Sequence, residues 1–306
     1  MDMSPFHVDE LAAQSLAHQS SSGAGIRAAM PDQHRSFFEL LPYLFVATAD
    51  QNGWPVASVL HGNPGFVRSP DPTSLHIDKR PASDDPAAAG WQAGRSVGLL
   101  GIDLSNRRRN RANGKVAALG ERGTTVAVAQ SFGNCAQYIQ TRRPTVRHRH
   151  PSPVQHLAGL DQAARSLIAS ADTFLVASRS RPTIEHASGL DVSHRGGRPG
   201  FVAVEGDTLL VPDFRGNRFF NTLGNLLGDP RAGLLFIDFA NGDLLQLQGT
   251  ATIDWTDRDA ARLAGAQRTW RVKVERGWRQ PQALPFDWIF GDYAPTTLAT
   301  GVWTSE

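Results

Sequence analysis

The run TLLVPDFRGNRFFNTLGNLLGDP, from Thr208 to Pro230, sets Gly216, Asn217 and Arg218 directly ahead of apolar residues at helical spacing: Phe219, Phe220, Leu223, Leu226 and Leu227. A helix N-terminus presents unpaired backbone N–H groups and the positive end of the helix dipole, which together attract an anion. Glycine lets a ligand approach the backbone, asparagine caps or donates, and arginine can hold a phosphate through two parallel hydrogen bonds. The chemistry on offer is anion capture. The alternative for these three residues alone is a helix cap with a solvated arginine.

Other reactive groups are sparse. RRRNRANGK (Arg107 to Lys115) is basic, but no aromatic is interleaved for base stacking and it falls between two strand patterns, which argues against nucleic acid. It is either a solvated basic edge or a contact for an anionic ligand. His148, His150 and His156 have no carboxylate or cysteine at ligand spacing, so they read as surface and no metal is expected. Cys135, the single cysteine, excludes an internal disulfide; the alternatives for it are a redox nucleophile and, the more usual role near a buried strand end, packing. Trp270, Trp278 and Trp288 read as core or interface. The chain has 306 residues, 41% of them hydrophobic, a net charge of +2, and no apolar run near the roughly 20 residues of a membrane span. Its start, MDMSPFHVDELAAQSLAHQSSSG, lacks the basic region and apolar core of a signal peptide. The expectation is a cytoplasmic protein with no membrane partner.

The elements that would hold these groups come in two copies. GNPGFV (Gly62 to Val67) returns as GRPGFV (Gly197 to Val202), and at this offset of 135 the chain matches itself without a gap to Gly114/Gly249. Shared positions include Thr73/Thr208, Leu75/Leu210, Asp78/Asp213, Arg80/Arg215 and GLLGID (Gly98 to Asp103) against GLLFID (Gly233 to Asp238). LFVAT (Leu44 to Thr48) resembles FLVAS (Phe174 to Ser178) at another offset, as a changed hairpin loop would produce. Apolar runs around Asn52-Gly53 predict a hairpin, and VGLLGIDL and AGLLFIDF predict buried strands. Each copy is therefore a small antiparallel barrel with an inserted helix. TRRPTVRHRHPSP reads as linker, giving a first barrel at 30–141, a linker at 142–157 and a second barrel at 158–306. Shared Asp213 and Arg215 suggest a structural ion pair or strand-end bond. The helix start is not shared: opposite Gly216-Asn217-Arg218 stand Pro81-Ala82-Ser83, followed by Asp84 and Asp85, which would repel an anion.

These features resemble the pyridoxamine 5′-phosphate oxidase-like, FMN-binding split-barrel family. The resemblance rests on Gly216-Asn217-Arg218, Asp229-Pro230-Arg231, the strand end Gln246 to Gly249, and DVSHRGGRPGFV, RRRNRANG and QSFGNCAQYIQ, which look like a tandem-barrel branch. Ala136 departs from the NCPQYI usual there. The resemblance implies a mainly β fold of tandem split barrels forming an intrachain pseudo-dimer. It implies FMN between the barrels, phosphate held by one copy and flavin touched by the other. The cross-interface position five before the strand-ending glycine is Arg109 in the first copy and Leu244 in the second. It further implies flavin contacts from Gln130, Ser131, Ser193, His194, Arg195, Asp213 and Arg215, with Arg109 and Arg195 stabilising negative charge and His194 acting as a general acid or as a positional contact.

The function these features imply is an FMN-dependent oxidoreductase exchanging electrons between a small or medium substrate and either oxygen or NAD(P)H. The protein is expected as a pseudo-dimeric monomer or a homodimer. The alternatives are a flavin- or haem-binding protein without turnover, and an electron-transfer partner of a separate reductase.

Overall fold

The computed structural model describes residues 4–121, 123–182, 187–256 and 258–303. Helices α1 (Val8–Leu16) and α2 (Asp32–Glu39) precede a first barrel made of β1 (Tyr43–Ala49), β2 (Pro55–His61), β3 (Val67–Arg68), β4 (Ser74–Ile77), β5 (Ser96–Asp103), β6 (Arg108–Gly120) and β7 (Gly123–Gly133). Next come β8 (Arg142–Val146), β9 (Gln155–Leu157) and α3 (Gln162–Ser170). The second barrel holds β10 (Thr173–Arg179), β11 (Leu190–Gly196), β12 (Ala203–Glu205), β13 (Thr208–Phe214), α4 (Asn221–Gly228), β14 (Arg231–Asp238), β15 (Asp243–Asp254) and β16 (Ala266–Gln280); β17 (Phe286–Phe290) and α5 (Pro295–Leu298) follow.

The two sheets have the same order, β2-β1-β5-β6-β7-β4-β3 and β11-β10-β14-β15-β16-β13-β12. β2 and β11, and likewise β5 and β14, are displaced by 135 residues, whereas β1 and β10 are displaced by 130. The difference lies in the hairpin loop, residues 50–54 in one copy and 180–189 in the other. The fold is mainly β, two tandem split barrels joined as an intrachain pseudo-dimer.

Burial explains the join. Each barrel has its own core, around Phe38, Leu75 and Val126 in the first and Phe174, Phe236 and Trp270 in the second. A third cluster takes residues from both, including Phe45, Ala57 and Leu100 with Leu175, Val192 and Leu235. Because these strands are apolar on both faces, neither barrel could expose that third surface without a large hydrophobic cost. The backbones touch at a pseudo-symmetric pair of glycines: a Cβ at Gly98 would stand 2.9 Å from Asp191 Cα, and one at Gly233 would stand 2.4 Å from the Pro55 carbonyl oxygen. That close approach gives a packing reason for the repeat to keep these glycines.

Three local features differ from the sequence reading. Residues 142–157 are not bare linker, since β8 pairs with β17 and β9, carrying His156, pairs with β16. Cys135 is exposed rather than packed, because the chain leaves the sheet at Gly133. The helix of the second copy begins at Asn221, not after Arg218, because Arg218 and Phe220 have φ of 64° and 60°, outside the right-handed helical region. No described helix is long and apolar enough to cross a membrane, and no cluster of three or more metal-ligating side chains occurs among the described residues.

Candidate functional site

Side chains alternate along a strand, so Arg109, Arg111 and Asn113 of β6 share one face, as do Asp191, Ser193 and Arg195 of β11. The barrel contact brings the two faces together. Arg111, 3% exposed, donates to Ser193 Oγ (2.7 Å) and Asn221 Oδ1 (3.1 Å) and pairs with Asp191 (2.9 Å), while Asn113 donates to the other Asp191 oxygen (2.8 Å). Arg111 also lies 5.0 Å over the Phe132 ring.

Beside this contact, the loop 215–220 and the start of α4 close a pocket of about 90 Å³. Open space surrounds Gly216 where a Cβ would project. Asn217 donates to Asn134 Oδ1 (3.2 Å), and the Tyr138 hydroxyl donates to the Arg215 carbonyl (3.2 Å), so the loop is latched to the first barrel. The first turn of α4 has no side-chain cap, which leaves its N–H groups available.

The pocket is strongly basic. Arg109, Arg111, Arg195, Arg218 and Arg268 line it against one carboxylate, Asp213, which pairs with Arg268 (2.5 Å) and Arg195 (3.4 Å). Burial, with Arg111 and Arg195 nearby, pulls the Arg109 guanidinium down to about 9, so it is still charged at neutral pH. Burial first, then Arg109, Arg195 and Arg142, hold the His194 imidazole well below its ordinary range. It is therefore neutral at pH 7, which removes the cationic form a histidine general acid would use. Five buried polar atoms here have no hydrogen-bond partner among the described residues: Arg109 Nε, Arg111 Nε, Asn134 Nδ2, His194 Nε2 and Arg195 Nε. Such atoms are costly unless something supplies the missing partner.

The pseudo-equivalent place at the other end of the interface is closed. A 3₁₀ turn, Pro86–Gly90, starts 135 residues before α4, and its cap Asp85 accepts from the Ala87 N–H (2.8 Å). The Asp85 carboxylate also accepts from Ser58 Oγ and from Gln246 Nε2 (3.1 Å). Leu244, Gln246 and Gln248 of β15 take the places of Arg109, Arg111 and Asn113. One copy thus supplies its own carboxylate where the other presents open donors.

Of the residues singled out in the sequence, Arg109, Ser193, His194, Arg195, Asp213, Gly216, Asn217 and Arg218 line the one pocket. Gln130, Ser131 and Arg215 do not. Gln130 donates to the Pro5 carbonyl (3.0 Å), Ser131 bonds His34 Nδ1 (2.9 Å), and Arg215 is exposed, holding Tyr138 through its backbone. Arg215 forms no ion pair with Asp213, whose partners come from β11 and β16. Arg111, Asn134, Asn221 and Arg268 escaped the sequence reading. Only the i, i+2 spacing of Arg109 and Arg111 could have signalled one of them.

Residues 30–155 match the family described as pyridoxamine 5′-phosphate oxidase. The matched stretch spans the first barrel, and the second half of the chain repeats the strand order of that barrel. Among solved structures, the chain is similar to HupZ of Group A Streptococcus (14% identity, TM-score 0.30, covering 38% of this chain and 90% of that one). It is also similar to a FAD-binding protein of Mesorhizobium loti (10% identity, TM-score 0.28, covering 42% and 97%). No curated protein sequence matches the chain.

The donors fit the anionic end of a flavin nucleotide: convergent guanidinium groups, an uncapped helix and orphaned N–H atoms. At about 90 Å³ the pocket is smaller than the roughly 300 Å³ at which small-molecule sites begin, a size that suits an anionic group rather than a whole nucleotide.

Proposed function

We propose that the chain binds one FMN at the interface of its barrels and is an FMN-dependent oxidoreductase acting on a small or medium substrate, with oxygen or NAD(P)H as electron partner. The observation that supports this most is the asymmetry of the two interface sites, one closed by Asp85 and the other lined by unpaired donors. Bound flavin supplies two-electron chemistry; the protein supplies binding, orientation and charge. Arg111, Arg218 and the first N–H groups of α4 hold the phosphate. Arg109 and Arg195 stabilise negative charge that develops in the pocket. His194, being neutral, serves as a single N–H donor that orients its ligand.

The test begins with colour. Protein saturated with FMN and desalted should show bands near those of free flavin, and anaerobic NADH or NADPH followed by a screen of oxidants should reveal turnover. A Soret band would support a haem protein instead, flavin retained without turnover would support a carrier, and no retained flavin would refute the proposal.

A further inference from the structure

We infer that a second cavity, of about 770 Å³ beside the arginine pocket, is a binding site for a small organic anion and receives the substrate of the reaction proposed above. The substrate role rests on that flavin reading; the anion selectivity does not. The volume lies inside the roughly 300–1,000 Å³ range of small-molecule sites. Its lining includes the small residues Ala127 and Ala129, and α1 and α4 wall one side.

Its charge is one-sided. Of the carboxylates that line it among the described residues, Asp191 is answered by Arg111 (2.9 Å) and Asn113 (2.8 Å). Glu10, buried, is pushed up to about 8 by desolvation, against the bonds it accepts from Asn221 and the His7 N–H, and is therefore largely uncharged at neutral pH. Of the cations, Arg181 pairs with Asp9, and Arg179 pairs with Asp229 (3.4 Å). Arg95 and Lys115 remain, exposed at the rim. Neither forms an ion pair or a side-chain hydrogen bond with the described residues. Two unneutralised cations at the mouth of a walled cavity concentrate anions there. Inside, Asn113 Oδ1 is buried with no donor among the described residues, so the favoured ligand also carries an N–H or O–H group.

The cavity is one side chain from the arginine pocket. Asn221 lines both spaces, accepting from Arg111 on one side and donating to Glu10 (2.5 Å) on the other. A ligand seated here would lie next to whatever the arginines hold.

The test uses two probes with the same rings, 8-anilinonaphthalene-1-sulfonate and the neutral N-phenyl-1-naphthylamine, titrated by fluorescence into FMN-loaded protein. Wild type should take up one sulfonate per chain at least roughly tenfold more tightly than the neutral probe. Arg95→Ala/Lys115→Ala should abolish that preference, leaving the affinities for the neutral probe and for FMN unchanged. Both side chains are exposed, so the variant should fold; Lys115→Ala alone should show a partial loss. Equal binding of the two probes, or a preference that survives the double substitution, overturns the inference. Displacement of the sulfonate by FMN overturns it too, because the cavity would then be the cofactor's own. If wild type binds no FMN but keeps the preference for the sulfonate, the flavin reading fails and the anion site stands.

Discussion

Replacing Arg111 by methionine separates its structural role from its part in holding a ligand. The side chain is 3% exposed and, among the described residues, is the only cation paired with Asp191, itself 4% exposed. Methionine keeps the contact with Phe132 but leaves Asp191 with Asn113 (2.8 Å) and the longer Ser193 bond (3.4 Å). Stranding a buried charge in this way costs about 3–5 kcal/mol. Unfolding entropy is about 2.1 cal/mol/K per residue, so 306 residues give about 0.64 kcal/mol/K and the expected fall in Tm is about 5–8 °C. Adding Asp191→Asn removes the stranded charge and should recover most of that loss. It should not restore a phosphate contact worth about 1.5–3 kcal/mol, roughly 10- to 150-fold in the preference for FMN over riboflavin. The assays are thermal unfolding and parallel titrations with the two flavins. A double variant no more stable than Arg111→Met, or one that regains the preference for FMN, would refute the reasoning.

Arg218→Ala should lower FMN affinity roughly tenfold while riboflavin binding is unchanged, and equal loss for both flavins would remove Arg218 from the phosphate site. Saturated, desalted protein should hold one FMN per chain, read as flavin absorbance after denaturation against protein from amino-acid analysis; a ratio near two would show that Asp85 does not close the other end. Glu10 is raised from 4.5 to about 8 by burial, so the folded state keeps a proton the unfolded chain has released, and stability should fall by about 1.4 kcal/mol per pH unit across that window. Glu10→Gln should flatten the profile, with its gain over wild type largest above pH 8 and absent near pH 4, as measured by denaturant unfolding. Gly98→Ala and Gly233→Ala should each cost about 1–3 kcal/mol, since the added methyl meets backbone of the opposite barrel; unchanged melting temperatures would mean the barrels can separate there at no cost.

The barrels were legible because their signals are local or periodic. The gapless offset reproduces the starts of β2 and β11, β5 and β14, and β6 and β15, and Asn52-Gly53 supplies the turn it implied, with Gly53 at φ 80°. The position of α4 was missed by a few residues because apolar spacing cannot report the left-handed conformations of Arg218 and Phe220. What α1 does was not legible at all. Its long-range partners lie more than 170 residues away, Asp9 on Arg181, His7 on Asn225 (2.9 Å) and Glu10 on Asn221, and the last two contacts depend on Gly224, where a Cβ would stand 2.6 Å from Glu10 Cα. Arg109 could be reached by counting back from a strand-ending glycine. Arg111, two residues on, could be recognised only once the partner strand was known. Asp85 shows the converse: its charge argued against an anion, but that its own carboxylate takes the cap position depends on Ser58 and Gln246, far away in the chain.

The connection between the barrels, with β8 and β9 paired into the rest of the chain, also changes how the site responds to dilution. A pocket built from two separate subunits exists only while the subunits stay associated, so its occupancy falls with protein concentration as well as with ligand concentration. Here β6 and β11 belong to one polypeptide, and each sees the other at an effective concentration on the order of millimolar, whatever the amount of protein present. Assembly of the site is then a first-order event. A protein of this build can be scarce and still have a complete pocket, and its ligand affinity should not change between nanomolar and micromolar protein.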